Sequence, residues 1–285
     1  MLSSGPFRGS AAVAAGVVTR RQLQSRNYRR VFRDVYAPAE GVGTNHVDRC
    51  RALALVLPAR AVFSGLSAAA LRAVPGIGDL VPVTVTVPRD RPWGPMAGVR
   101  IDRSVLSPDE VQTVDRLAVT EWSRTLWDVA RMPDGPDAVA VLDAVVREFP
   151  VLDRRLPTVA ERYRTRPGGL RAATSLALVD GRAESPMESR LRVLLVTAGL
   201  PTPVPQHRVF DRSGRFVARL DLAWPDRQVA VEYDGRWHGA PAQFDRDRRR
   251  LNALVAARWT VVHVTAPVVG DIGPLVRQIR DALDR

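Results

Sequence analysis

The sequence contains no lysine, a single cysteine and no long apolar run, and each absence excludes a class of protein. Without lysine there is no GxxxxGK[ST] loop, so a P-loop ATPase is excluded. With Cys50 alone, neither an internal disulfide nor a cysteine-rich zinc site can form. No stretch approaches the ~18 consecutive apolar residues of a membrane span, and the apolar segment 11–18 has no small-residue cleavage pattern after it. We therefore expect a cytoplasmic protein without a membrane partner.

Positive charge is abundant, and all of it is arginine. The 285 residues include 42 arginines against 30 aspartates and glutamates, a formal net charge of +12. A basic surface attracts polyanions at long range, and the guanidinium fork of arginine matches the oxygens of a phosphate. The charge therefore favours nucleic acid as the partner, with a basic protein that is merely soluble as the alternative.

Periodicity and turn signals divide the chain into three regions. Residues 1–75 hold short helical patterns, and residues 76–181 combine strand patterns at 81–87 and 99–103 with several helices. Residues 182–285 show the order α-β-β-β-α-β-α. We therefore predict an α/β chain of the mixed α+β kind, with an N-terminal winged helix-turn-helix, a middle region and a C-terminal domain.

Acidic residues are concentrated in a predicted hairpin of the C-terminal region. A two-residue turn at Asp226-Arg227 places Asp221 opposite Glu232, with Cβ atoms about 4.5–5.5 Å apart, and Asp234 points to the same face. Three carboxylates on one face repel unless a cation or a proton joins them, and such hard oxygen ligands favour Mg²⁺ or Mn²⁺. The alternative is a solvated polar face with another register, because Asp-Arg is a weak turn pair. The other face is apolar: Leu222, Trp224, Val229, Val231 and Tyr233.

Further polar residues lie close to this hairpin in the sequence. Ser185 and Glu188 mark a helix start, so Glu188 is either a capping residue or an acid of the site. His238 follows the second strand and is a candidate general base, although a lone histidine is more often a surface or packing residue. Arg248 and Arg249 lie at the start of a predicted basic helix. Its arginines are either solvent-exposed without a function or bind DNA phosphates.

The first 75 residues show the pattern of a winged helix-turn-helix. Thr19 caps one predicted helix, Ser25 caps a second, and residues 35–36 enter a wing. Such a second helix fits a major groove while its arginines hold phosphates, and a small protein-interaction module is the alternative. Four arginines are expected along or beside that helix: Arg26, Arg29, Arg30 and Arg33.

The C-terminal motifs, taken in order, resemble the very-short-patch-repair-like (Vsr-like) branch of the PD-(D/E)XK endonuclease superfamily, particularly its actinobacterial members. The resemblance covers residues 184–284. The matching pieces are 184–192, 198–201, Gln206, 219–224, 231–235, His238, 245–248, Leu251, 259–262 and Thr265.

This resemblance implies a restriction-endonuclease-like mixed sheet flanked by helices and a Mg²⁺-dependent active site, with Mn²⁺ as the other metal. Asp221 and Glu232 match the family's metal-binding acids, and Glu188 matches the acidic residue of the first helix, which completes the expected metal set. His238 matches a histidine that assists water activation. Asp234 stands where the superfamily's broad pattern has lysine, so it joins the expected catalytic set while the general base stays open.

Residues 1–181 are similar to AbiEi-type antitoxins, which are winged-helix repressors of toxin genes. The matching pieces are 18–23, 29–33, 35–36, Ser64, 68–71, 83–87 and 124–128. Two functions follow. One is a metal-dependent DNA endonuclease that the N-terminal region targets to duplex DNA. The other is a DNA-binding repressor or antitoxin whose nuclease fold is inactive. A homodimer and a cognate toxin are open as partners, and a role with RNA or protein is a third alternative.

Overall fold

The protein is described by a computed structural model in which helices and mixed sheets alternate along the chain. The predicted α/β class is therefore confirmed. The chain forms two units, Met1–Val129 with Arg154–Ala172 and Ala130–Asp153 with Ala173–Arg285. Within the part of the chain that the structure describes, no helix has the length and apolarity needed to cross a membrane. The described residues are 5–39, 45–90, 93–234, 250–265 and 271–285.

The first unit begins with a small sheet and two short helices. The three strands pair in the order β1-β3-β2, and both pairings are antiparallel. Thr19 caps the second helix as predicted, because its side chain accepts from the Gln22 backbone while the Gln22 side chain accepts from the Thr19 backbone. The elements are β1 (Phe7–Arg8), α1 (Gly9–Ala14), α2 (Arg20–Leu23), β2 (Tyr28–Phe32) and β3 (Val35–Pro38).

The second helix predicted from Ser25 is wrong, because a β-strand follows this residue instead. The Ser25 hydroxyl donates to the carbonyl oxygen of Gln22 at 2.7 Å, so it closes α2 and caps no further helix. The next residues are rich in aromatic and β-branched types, which favour a strand that pairs with β3. The four arginines are thus spread over the hairpin: Arg26 before β2, Arg29 and Arg30 on it, and Arg33 after it.

The second sheet of the first unit is mixed and has five strands, in the order β6-β5-β4-β8-β7. The two strands predicted in this region are confirmed as a parallel pair, and all five residues of β5 are buried. The strands are β4 (Val62–Phe63), β5 (Val83–Val87), β6 (Val99–Arg103), β7 (Val111–Val114) and β8 (Leu117–Thr120). The helices of this part of the chain are α3 (His46–Ala54), α4 (Gly65–Ala70), α5 (Trp122–Ala130), α6 (Gly135–Glu148), α7 (Leu156–Arg162) and α8 (Gly169–Ala177).

A buried ion network holds α5 in the first unit. The Arg124 Nε donates to both Asp128 carboxylate oxygens at 3.1 Å, and its Nη1 donates to Glu110 Oε1 at 3.4 Å. Tyr163, just beyond α7, donates its hydroxyl to the same Glu110 oxygen at 2.9 Å. The side chains of Arg124 and Glu110 are each 1% exposed, so these charges compensate one another away from water.

The second unit contains the four-stranded sheet of the C-terminal region. The strand order is β12-β11-β10-β9, with antiparallel pairs from β9 to β11 and a parallel pair between β11 and β12. The predicted order α-β-β-β-α-β-α is confirmed. The elements are α9 (Pro186–Thr197), β9 (Val204–Phe210), β10 (Phe216–Trp224), β11 (Val229–Tyr233), α10 (described from 250 to 256), β12 (Thr260–Val264) and α11 (Gly273–Leu283).

Helix α6 belongs to the second unit and not to the first, because it packs against α9. The buried Arg192 of α9 donates to Asp143 of α6 at 2.8 Å, and Arg190 pairs with Asp137. The predicted boundaries at 75 and 181 therefore do not match the division of the structure. Residues 130–153 complete the C-terminal unit, although sequence places them in the middle region.

The buried network predicts a large loss of stability for Arg124→Ala, which removes the buried cation that Glu110 and Asp128 share. We expect the free energy of unfolding of the first unit to fall by about 3–5 kcal/mol. Urea denaturation followed by tryptophan fluorescence measures it. As a control, Arg164→Ala removes an exposed ion pair with Glu161 and costs less than about 1 kcal/mol. Equal losses for the two variants would contradict the assignment.

Candidate active site

The acidic hairpin has the pairing register that the sequence predicts. Leu222 pairs with Val231, and continuing that register places Asp221 opposite Glu232. The connection differs from the predicted two-residue turn: Pro225–Arg227 form one turn of 3-10 helix, and Gln228 takes the left-handed conformation with φ +52°. The longer connection preserves the register, so the two carboxylates still face each other.

The apolar face of the hairpin is confirmed, and it fixes the direction of the acids. Leu222 and Val231 are fully buried in one core with Leu191 and Leu195 of α9. Because side chains alternate along a strand, the residues next to these, Asp221 and Glu232, project to the other side of the sheet. The hydrophobic pattern therefore sets which face carries the charges.

Asp221 lies at the centre of the acidic group. Its Oδ2 accepts a hydrogen bond from the Tyr233 backbone N–H at 2.9 Å. Burial raises its pKa to about 6, and the neighbouring carboxylates of Glu188 and Glu232 add to the rise, while the Tyr233 N–H and the Arg250 guanidinium act against it. Asp221 is thus a carboxyl group whose ionised form needs a positive partner.

Glu188 is both a helix-capping residue and a member of this acidic group. Its backbone N–H donates to the Ser185 hydroxyl at 3.2 Å, which starts α9 as predicted. Its carboxylate is buried and accepts from the Gln206 side-chain amide at 2.7 Å and from the Glu184 backbone N–H at 2.9 Å. Gln206 therefore holds the Glu188 carboxylate in a fixed position at the start of the helix.

Glu232 is buried and already has a cationic partner. Arg250 of α10 donates through Nη1 to Glu232 Oε2 at 2.9 Å and through Nη2 to the other carboxylate oxygen. The same Nη2 reaches the Arg219 carbonyl oxygen at 3.3 Å, and Arg219 forms a two-pronged ion pair with Glu184 at 2.7 and 2.6 Å. Arginines from two elements therefore lie around the acidic group.

His263 is a polar residue at the site that sequence reasoning did not single out. It pairs with Glu232 across the parallel strands β11 and β12, and its Nδ1 lies 3.0 Å from Asp234 Oδ2. Its only local signal is a polar residue within the apolar strand β12. To predict that His263 pairs with Glu232, one must know that β12 lies beside β11, and the sequence alone does not show this.

The structure places Asp221 opposite Glu232, with Glu188 near enough to raise the pKa of Asp221, and places Asp234 beside His263. The remaining predicted site residues, His238, Arg248 and Arg249, lie outside the described residues. Among the described residues, no three histidine, cysteine, aspartate or glutamate side chains converge closely enough to hold a metal ion.

The donor chemistry nevertheless fits a hard divalent cation. Asp221 and Glu232 offer carboxylate oxygens of the kind that Mg²⁺ and Mn²⁺ prefer. The raised pKa of Asp221 arises from burial and from two like charges, and a bound cation relieves both penalties. Asp221 and Glu232, with Glu188 beside them, are the residues that would hold it.

Comparisons with known proteins find relatives of this chain in Mycobacterium tuberculosis. No family model matches the chain. It is 34% identical over 196 residues to the uncharacterized protein Rv2248 of Mycobacterium tuberculosis strain H37Rv, which covers 67% of this chain and 70% of that protein. The uncharacterized protein MT2308 of strain CDC 1551 gives the same values. The chain therefore belongs to the family of these two proteins.

A solved structure also shows some likeness. The crystal structure of the RV2827C protein from Mycobacterium tuberculosis aligns with 73% of this chain and 84% of its own, with a TM-score of 0.41 and 17% sequence identity.

The raised pKa of Asp221 predicts that Asp221→Asn stabilises the protein at neutral pH. The folded state binds the Asp221 proton more tightly than the unfolded state, so wild-type stability falls as pH rises from about 4 to about 6. Above pH 6 we expect a gain of about 1–2 kcal/mol for the variant, less than full linkage because solvent screens part of the charge. Thermal unfolding across this pH range measures it. Asp226→Asn in the exposed turn is the control, and pH profiles that coincide for wild type and Asp221→Asn would disprove the prediction.

Proposed function

We propose that the protein is a metal-dependent endodeoxyribonuclease that hydrolyses phosphodiester bonds in double-stranded DNA. The observation that carries the proposal is the half-buried Asp221, which lies opposite Glu232 on β10 and β11 with Glu188 near it and has its pKa raised to about 6. The element order around these acids and the resemblance to Vsr-like PD-(D/E)XK nucleases support it. The net charge of +12 supports a polyanionic substrate, and we place the protein in the cytoplasm with its DNA.

Each residue of the site has a distinct role in this proposal. Asp221 and Glu232 would hold Mg²⁺ or Mn²⁺, which would neutralise charge on the phosphate and activate water. Glu188, fixed by Gln206, keeps a third carboxylate beside them. Asp234 orients the His263 ring through their contact at 3.0 Å, and His238 remains a candidate general base.

Arg250 and a metal ion would compete for the Glu232 carboxylate. Arg250 and Glu232 are joined by a two-pronged ion pair, and a guanidinium displaced from it would suit a DNA phosphate. Arginine is suited to this exchange because its fork matches a phosphate as well as a carboxylate.

Plasmid cleavage tests the proposal. We expect pure wild-type protein to nick or linearise supercoiled plasmid with Mg²⁺ or Mn²⁺ and to be inactive with EDTA. Asp221→Ala and Glu232→Gln should each lower the rate by at least about 100-fold, as removal of a charge-stabilising group does in other enzymes. Asp226→Ala makes the same kind of change in the exposed turn of this hairpin and should keep full activity.

Two results would count against this assignment. Equal cleavage by wild type and Asp221→Ala would point to a contaminating nuclease. Cleavage by neither, together with retarded migration of duplex DNA, would favour the second candidate function.

The second candidate is a DNA-binding repressor or antitoxin of the AbiEi type. The ion pair between Arg250 and Glu232 favours it, because a carboxylate that is already neutralised has less need of a metal. In this function the arginines of the β2–β3 hairpin contact the DNA backbone, and a homodimer or a toxin is a natural partner.

Exposed arginines around β2 predict a salt-dependent contribution to DNA binding in either function. We expect Arg26→Ala combined with Arg33→Ala to weaken binding to unrelated duplexes by similar factors. The slope of log K against log salt should fall by about 1 for each phosphate that the variant no longer neutralises. Fluorescence anisotropy in EDTA measures both quantities. Arg100→Ala combined with Arg164→Ala removes the same charge elsewhere, and an equal effect from this control would refute a local role.

A further inference from the structure

The end of the β9–β10 hairpin carries two aromatic rings in an exposed position. Phe210 and Phe216 form a cross-strand pair with ring centroids 6.0 Å apart at 73°. They are 50% and 54% exposed, although both are large apolar residues. Exposed apolar groups that are clustered mark interaction sites more often than scattered ones do. We call this pair, with Arg208, Arg212 and Arg215, the Phe–Arg surface.

Positive charge lies directly against these rings. The Arg208 guanidinium carbon is 5.5 Å from the Phe210 ring centroid and 5.3 Å from that of Phe216. Arg212 and Arg215 are exposed in the turn that joins the two strands. The surface therefore combines aromatic rings with several cations, the combination with which proteins bind single-stranded nucleic acid.

The turn is held in one conformation by its own hydrogen bonds. The Asp211 carboxylate accepts from the backbone N–H groups of Ser213 and Arg215 and from the Arg215 Nε, each at 2.9 Å. The Ser213 hydroxyl also donates to it, and these bonds hold the pKa of Asp211 well below its usual range. The Asp211 carboxylate therefore makes its hydrogen bonds within the turn. Because the turn is already ordered, binding of a ligand costs little conformational entropy there.

We propose that the Phe–Arg surface binds DNA at an unpaired base. Aromatic rings stack on bases that have left the duplex, and arginines hold the flanking phosphates. The inference rests on the proposed function in taking DNA as the ligand, and it adds the structural feature that the protein selects.

The position of the surface on β10 sets a distance to the acidic site. Phe216 and Asp221 are five residues apart on the same strand, and the register shifts between Phe216 and Ala218, so the separation is at most about 17 Å at about 3.3 Å per residue. With bases of one strand spaced by about 3.4 Å, the unpaired base lies within about five nucleotides of the bond placed at Asp221.

Binding in EDTA tests the inference without cleavage. Fluorescence anisotropy compares two labelled DNAs that are identical except for a short central run of unpaired thymines in one of them. We expect wild type to prefer the DNA with unpaired bases. Phe210→Ala combined with Phe216→Ala should weaken that complex about tenfold and change duplex binding less than about twofold.

Control variants separate stacking from other effects. Phe210→Trp combined with Phe216→Trp should keep the preference, because tryptophan also stacks. Leu80→Ala, at a leucine that is 93% exposed in the first unit, should change neither affinity. Thermal unfolding checks that the double alanine variant is folded, as expected for rings that are half exposed.

Three outcomes would overturn the inference: unchanged affinities in the double alanine variant, equal losses for both DNAs, or altered self-association without an effect on DNA. The proposed nuclease is judged separately by plasmid cleavage. Absent cleavage with a preference that depends on the rings would refute the nuclease alone, and cleavage without such a preference would refute this inference alone.

Discussion

The charge on the half-buried Asp221, with Glu188 and Glu232 beside it, is the constraint around which the polar groups of the acidic site are arranged. The strand register places Asp221 opposite Glu232, and the burial of Glu232 and half-burial of Asp221 remove part of the water that would otherwise screen the two charges. The protein responds with a guanidinium on Glu232 and a backbone N–H on Asp221. Asp221 nevertheless retains a raised pKa. A protein selected for stability alone would have an apolar pair at these positions, so the acids indicate a functional demand.

The hairpin could be predicted because its signals are local and agree with one another. Alternation of apolar and acidic residues fixes which face is buried, and a change of register by one residue would put Leu222 in water. The burial of the apolar face constrains the register more strongly than the turn residues do. The predicted register is therefore observed although the predicted two-residue turn is not. The start of α9 was predictable for the same reason, since Ser185, Pro186 and Glu188 each favour it.

Other features depend on contacts between distant parts of the chain. The strand at Tyr28–Phe32 follows a serine that resembles a helix cap, and only its pairing with β3 shows that the segment is extended. His263 meets Asp234 through a parallel pairing across 29 residues. The Arg250 partner of Glu232 is one of several arginines in its segment, and the sequence alone does not indicate which of them points at the acid.

The packing of α6 on α9 has a consequence for how the second unit can be isolated. The sequence motifs of the nuclease-like region begin near residue 184, but the unit also includes residues 130–153, and the chain enters it twice. A fragment cut at residue 182 would lose Asp143 and leave the buried guanidinium of Arg192 without its carboxylate. A fragment that contains the complete second unit must therefore begin before α6, or join residues 130–153 to the C-terminal part of the chain.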